Sequence, residues 1–177
     1  MNAACSLGAA RCALETAAAY TKERRQFGQP LVTNQSVQFK LADMATELHG
    51  ARLMLHYAAG LMDRKKLAAE AAAAAAASQL TEGGDGSGGS GDGGSVGGLL
   101  LEVPGGAFTT TVACAMAKQK ATDVGFKVCN DALQLHGGYG YLSSYSLERH
   151  VRDVRVHQIL EGTNEIMRHI VARAVCK

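Results

Sequence analysis

The chain has 177 residues, enough for one domain with a real hydrophobic core. Its net charge of +2 gives neither the broad basic field that nucleic acid demands nor an acidic tail. No apolar run approaches the roughly 18 residues needed to cross a bilayer, so no membrane span is expected.

Ala and Leu are plentiful, Pro is almost absent, and nearly half of the 21 glycines lie within Gly83–Gly98. That distribution favours an all-α protein interrupted by one glycine tract. Leu7, Ala10, Leu14, Ala17 and Thr21 predict a first helix over about Ala3 to Gln26 with a narrow apolar stripe. Phe27-Gly28-Gln29-Pro30 should end it, since Gly permits a C-cap and Pro cannot extend a helix. A second helix starts near Asn34 or Ser36, both suitable N-caps, and runs to about Lys66. Leu41, Met44, Ala45, Leu48, Ala51, Arg52 and Leu55 line one of its faces.

From Leu67 the pattern changes. Ala71–Ala77 has high helix propensity but little to bury, and Gly83–Gly98 reads as flexible linker. Residues 67–110 are therefore expected to be a disordered low-complexity insert, of a length uncommon inside a compact domain. Val112, Met116, Ala121, Val124, Val128, Ala132 and Leu135 predict a third helix to about His136, stopped by Gly137-Gly138-Tyr139-Gly140. Leu147 to about Ile159 reads as a fourth. Thr163 caps a fifth, with Ile166, Met167, Ile170, Val171 and Ala174 as its stripe. Three long helices and two shorter ones, with no strand candidate, predict an up-down helical bundle built from residues 3–66 and 111–175.

Chemistry-bearing patterns are few. Gly86-Ser87-Gly88-Gly89-Ser90-Gly91 spells G-x-G-x-x-G, but it follows poly-alanine instead of a strand, so it carries no dinucleotide reading. The five cysteines are scattered without a C-x-x-C pair and read as buried free thiols. His49/His56 and His150/His157 are seven apart, not the i, i+4 of a metal bite, so no metal site is expected. Arg24 and Arg25 at a helix end either answer the helix dipole or hold a phosphate through bidentate guanidinium bonds, and spacing leaves both open. The glycines of Gln134–Tyr141 let a backbone or a ligand approach closely. Glu161, between Ile159-Leu160 and Gly162, is suited to proton abstraction if dry, although an exposed loop carboxylate is the plainer reading of the residue alone.

Three segments taken together resemble one family. Glu23-Arg24-Arg25-Gln26-Phe27-Gly28-Gln29-Pro30-Leu31, Gln134-Leu135-His136-Gly137-Gly138-Tyr139-Gly140-Tyr141 and Arg152 through Glu165 resemble, in motif and order, the C-terminal helical domain of acyl-CoA dehydrogenases. Cys5–Ala10 and Leu41–Thr46 look most like its branched-chain members. The resemblance implies that Glu161 is the catalytic base, removing the α-proton of an acyl-CoA thioester while hydride leaves for FAD. It implies FAD contacts at Arg24, Gln26, Phe27, Asn34, Gln35, Gln134, Leu135, His136, Gly137, Gly138, Thr163, Asn164 and Glu165. Gly162 and Arg173 would meet the substrate. Electron-transfer flavoprotein as acceptor, a homotetramer and the mitochondrial matrix are implied in the same way. Family members carry a helical domain and a β-domain ahead of this one, and join the second and third helices by a short turn. The resemblance therefore also implies a fragment with little activity of its own, the alternative being a non-catalytic bundle that packs on full-length subunits.

Overall fold

The computed structural model describes residues 2–81, 102–103, 106–107 and 109–176, with side chains for 2–74 and 109–176. Among these residues five α-helices carry the fold: α1 (Asn2–Glu23), α2 (Gln35–Thr81), α3 (Thr110–His136), α4 (Leu147–His157) and α5 (Asn164–Val175). Two antiparallel ladders of two-residue strands accompany them. One pairs β1 (Arg25–Gln26) with β2 (Gln29–Pro30), the other β3 (Glu102–Val103) with β4 (Gly106–Ala107).

The expected helical bundle forms around α3, which packs against α1, α2, α4 and α5. A helix surrounded in this way must be apolar on more than one stripe. Accordingly α3 buries Val112, Ala113, Ala117, Ala121, Val124, Val128, Cys129 and Ala132. From α1 come Leu7, Ala10, Ala13 and Ala17; from α2, Met44, Leu48 and Ala51; from α4, Leu147 and Val154. The many small side chains let backbones approach closely. A Cβ placed on Gly125 of α3 would stand 2.7 Å from the Cβ of Ser6 in α1. Ser6 is fully buried, and its Oγ lies 3.1 Å from the Asn2 carbonyl and 2.8 Å from His157 Nδ1, tying α1 to α4. Lys120 reaches Glu47 at 2.6 Å and joins α3 to α2 at the half-exposed rim.

Several expectations are corrected. The first helix ends at Glu23, and the next residues form the β1–β2 hairpin around a two-residue loop, Phe27–Gly28. Both loop residues have positive φ, +51° and +79°. Two successive positive φ values give the turn whose twist matches a two-stranded ladder. The second helix does not stop at Lys66: α2 continues to Thr81, so residues 67–81 of the expected insert are helical. Adding alanines to an existing helix avoids the cost of nucleation. The glycine tract Gly83–Gly98, with the disorder and the G-x-G-x-x-G pattern read there, lies outside the described residues. In α5 only Asn164 is buried, and Ile166 of the expected stripe stays 52% exposed. Of the five thiols only Cys129 is buried, and burial pushes its pKa up to about 12.

Candidate active site

The end of α1, the β1–β2 hairpin and the C-terminus of α3 with its following turn surround a cavity of about 490 Å³. Seven of the expected cofactor contacts line it: Arg24 and Gln26 from one side, Gln134, Leu135, His136, Gly137 and Gly138 from the other. Residues that are distant in sequence thus meet because α1 packs directly against α3. Tyr20 and Tyr139, to which the sequence motifs assign no role of their own, also line the cavity. The Arg24 guanidinium carbon stands 5.3 Å from the centroid of the Tyr139 ring, within cation–π range. Tyr20 lies one helical turn before Arg24, a spacing that could have placed it on the same face.

His136 is the most constrained group in this cavity. It is 3% exposed, its ring stacks on Tyr20 at 4.1 Å, and Tyr145 meets it edge-on at 5.3 Å. Its Nδ1 lies 2.9 Å from the Ala132 carbonyl, which can only accept, so Nδ1 carries the proton. Burial lowers the His136 pKa, partly countered by that bond, and favours the neutral ring. Nε2 is then an acceptor, and it has no partner among the described residues. A guanidinium, aromatic walls and an unpaired buried acceptor suit a phosphate-bearing ligand with a hydrogen-bond donor to offer.

A second group of expected site residues lies on the turn between α4 and α5. Glu161 has φ +57° and Gly162 φ +92°. The left-handed conformation costs a residue such as Glu about 1–2 kcal/mol and persists only where its surroundings enforce it. The surroundings are specific. Lys118 Nζ, from α3, donates to the Gly162 carbonyl at 2.7 Å and to Asn164 Oδ1 at 2.8 Å. Asn164 Nδ2 donates to Thr122 Oγ1 at 2.9 Å and to Asp123 Oδ1 at 2.7 Å. Gln158 Nε2 donates to the same Asp123 oxygen at 2.6 Å, and Arg168 reaches the other at 3.0 Å. The Asn164 amide closes the turn on the Gln158 carbonyl at 3.0 Å.

Asn164 is therefore a hub inside the chain. Its side chain is buried and engaged on both its oxygen and its nitrogen by Lys118, Thr122 and Asp123. Thr163 caps α5, its Oγ1 accepting from the Ile166 amide at 3.4 Å. The exposed Glu165 carboxyl is held below its ordinary pKa by its own amide first, then by the Thr163 hydroxyl, with Arg168 also contributing. Burial lowers the pKa of Lys118, while Asp123, Glu161 and Glu165 pull the other way. Sequence reasoning missed Lys118, since a lysine within a long helix carries no spacing signal. Glu161 itself is exposed, and its neighbours Ile159 and Leu160 are 52% and 46% exposed. The apolar flank exists, but within the described residues it does not close over the carboxylate.

The remaining expected residues lie apart from both groups. Phe27 is wholly exposed at the hairpin tip. Asn34 and Gln35 are exposed where α2 begins, with the Asn34 carbonyl accepting from the Gln38 amide at 3.1 Å. Arg173 is exposed in the last turn of α5, about 14 Å along the helix from Asn164. No grouping of three or more metal-ligating side chains occurs among the described residues.

The family model described as acyl-CoA dehydrogenase, C-terminal domain, matches residues 1–82 and 103–176. The chain belongs to the acyl-CoA dehydrogenase family. It is 40% identical over 173 residues to the mitochondrial isobutyryl-CoA dehydrogenase of Bos taurus, which covers 98% of this chain and 32% of the bovine protein. The CarC subunit of the caffeyl-CoA reductase-Etf complex of Acetobacterium woodii is 33% identical over 172 residues, 97% of this chain and 34% of CarC. Among solved acyl-CoA dehydrogenases, the butyryl-CoA dehydrogenase of Megasphaera elsdenii superposes with a TM-score of 0.73 at 32% identity, covering 99% of this chain and 35% of that one. The chain spans about a third of the length of the curated relatives it matches. Residues 83–102 fall outside the match to the acyl-CoA dehydrogenase domain, so the five described helices carry the family likeness.

Proposed function

We propose that this chain is the C-terminal helical part of an FAD-dependent acyl-CoA dehydrogenase and that Glu161 is its base. Glu161 takes the α-proton of a short, branched acyl-CoA thioester. When bound, FAD supplies the acceptor for the hydride lost from the β-carbon. Arg24, held over Tyr139, pairs with a phosphate of the cofactor, while Gln26, Gln134 and the backbone of Gly137–Gly138 border it. The unpaired Nε2 of His136 takes a hydrogen bond from it. Phe27, Asn34, Gln35, Thr163 and Glu165 extend the contact outside the cavity, and Gly162 and Arg173 serve the substrate. Electron-transfer flavoprotein receives the electrons, and the enzyme works as a homotetramer in the mitochondrial matrix.

The observation that carries this reading is the turn at Glu161 and Gly162, a strained conformation held by side chains from α3 on a domain of this family. Strained backbone of this kind clusters at active sites and ligand clamps. The openness of Glu161 points to walls supplied by other parts of the enzyme, because proton abstraction from a thioester needs water kept out. The chain alone is therefore expected to give negligible dye reduction with FAD and isobutyryl-CoA.

A chimera tests the reading directly. This chain replaces the matched third of bovine isobutyryl-CoA dehydrogenase, and dye reduction by isobutyryl-CoA is followed with FAD bound. Turnover is expected, and Glu161→Gln should lower kcat by on the order of 10³. A flavin-loaded chimera whose rate ignores Glu161→Gln overturns the assignment of the base. A flavin-loaded chimera with no turnover supports the non-catalytic assembly partner instead, for which the half-exposed apolar stripe of α5 would be a packing surface.

A further inference from the structure

We propose that Lys118 is a positioning residue that locks the turn bearing Glu161 in its left-handed conformation. Among the described residues, no other side chain donates to a carbonyl of this turn. Glu161 and Gly162 both have positive φ, and the Gly162 carbonyl, which a left-handed residue turns away from ordinary helical partners, is received by Lys118 Nζ at 2.7 Å. The same ammonium binds Asn164 Oδ1 at 2.8 Å, so one group grips the chain on both sides of Thr163. A neutral donor in its place would make weaker bonds, since a charge-assisted bond is about twice as strong as a neutral one.

The anchor sits on a rigid base. Lys118 belongs to the central helix α3, and one turn later Thr122 and Asp123 hold the Asn164 amide group, completing a frame around the turn. Gly162 suits this place by its backbone: its φ of +92° is disfavoured for any L side chain, whereas the 2.9 Å approach of an added Cβ to Met167 Cε involves only the end of a flexible side chain. Lys118 thus decides where the Glu161 carboxylate begins.

The inference rests on Glu161 as the base only for its catalytic consequence, and the test addresses the anchor itself. Amide hydrogen exchange is measured residue by residue on the whole chain and on its Lys118→Met and Lys118→Arg variants. The reporter is the Asn164 amide, whose bond to the Gln158 carbonyl closes the turn. Lys118→Met should speed its exchange by about tenfold or more, as loss of a charge-assisted bond predicts. Lys118→Arg, which keeps charge and donors, should restore slow exchange to within about twofold. The amides of α1 and α3 should exchange as in the parent in both variants.

Unchanged exchange at Asn164 in Lys118→Met overturns the proposal. So does a uniform acceleration across α1 and α3, or outright unfolding, because either makes Lys118 a general stabiliser. Failure of Lys118→Arg to rescue overturns it as well. None of these results alters the outcome of the chimera with Glu161→Gln, so the anchor and the base fail separately.

Discussion

At the scale of single residues, the sequence named the groups but not their employment. Arg24 and His136 were both marked by their neighbours, Phe27-Gly28 in one case and Gly137-Gly138 in the other, because glycines announce a place where the chain turns tightly. What Arg24 rests on was invisible, since Tyr139 is more than a hundred residues away in the chain. Asn164 stands in a motif, and the structure adds that its side chain holds the turn to α3. His136 yields a prediction with a definite sign. Its folded pKa lies below the ordinary 6.5, so the unfolded chain binds more protons as the pH falls. The stability due to the buried neutral ring is complete above 6.5 and declines as pH drops through that value towards the folded pKa. Urea denaturation at a series of pH values should show this loss, and His136→Phe should flatten the profile over that window. A profile equally steep in His136→Phe would remove His136 as its source.

At the scale of elements, helix existence was legible and helix ends were not. Periodicity located all five helices because each must present an apolar face to its neighbours. The ends depend on competitors. The β1–β2 hairpin cuts α1 short without an Asn-Gly signal, and α2 runs on through alanines that have nothing to bury. Glycines inside helices separate the same two influences, propensity and packing. Gly60 in α2 has nothing within 4 Å of an added Cβ, so Gly60→Ala should gain up to about 1 kcal/mol from helix propensity. Gly125 faces the Ser6 Cβ at 2.7 Å and the Ser6 carbonyl oxygen at 3.1 Å, backbone that cannot swing away. There, overpacking of about 1–3 kcal/mol outweighs the propensity gain, and Gly125→Ala should lose about 1 kcal/mol. Thermal melts should move in opposite directions, by about 2–4 °C for each kcal/mol. A rise in Tm for Gly125→Ala would show that α1 and α3 can separate at little expense.

At the scale of the whole molecule, the described helices form one bundle organised on α3, with the cavity between Arg24 and His136 at one end and the Glu161 turn anchored on the same helix. The match to the family passes over residues 83–102, so the bundle should not need them. Replacing residues 83–101 by a short Gly-Ser connector is expected to leave far-ultraviolet circular dichroism per helix unchanged and Tm within about 2 °C, since loop length alters closure entropy only slowly. A collapse of the melt would show that the tract belongs to the fold. By itself the sequence determined the helical class, the order of the helices, the family and the carboxylate to examine. These follow from local propensity, hydrophobic period and motif, which a chain displays one residue at a time. Only the tertiary structure decided that Lys118 grips the Glu161 turn, that Tyr139 supports Arg24 and that Asn164 faces inward. Those facts are contacts between positions some 40 to 115 residues apart, and such contacts exist only once the burial of α3 has fixed which helix faces meet.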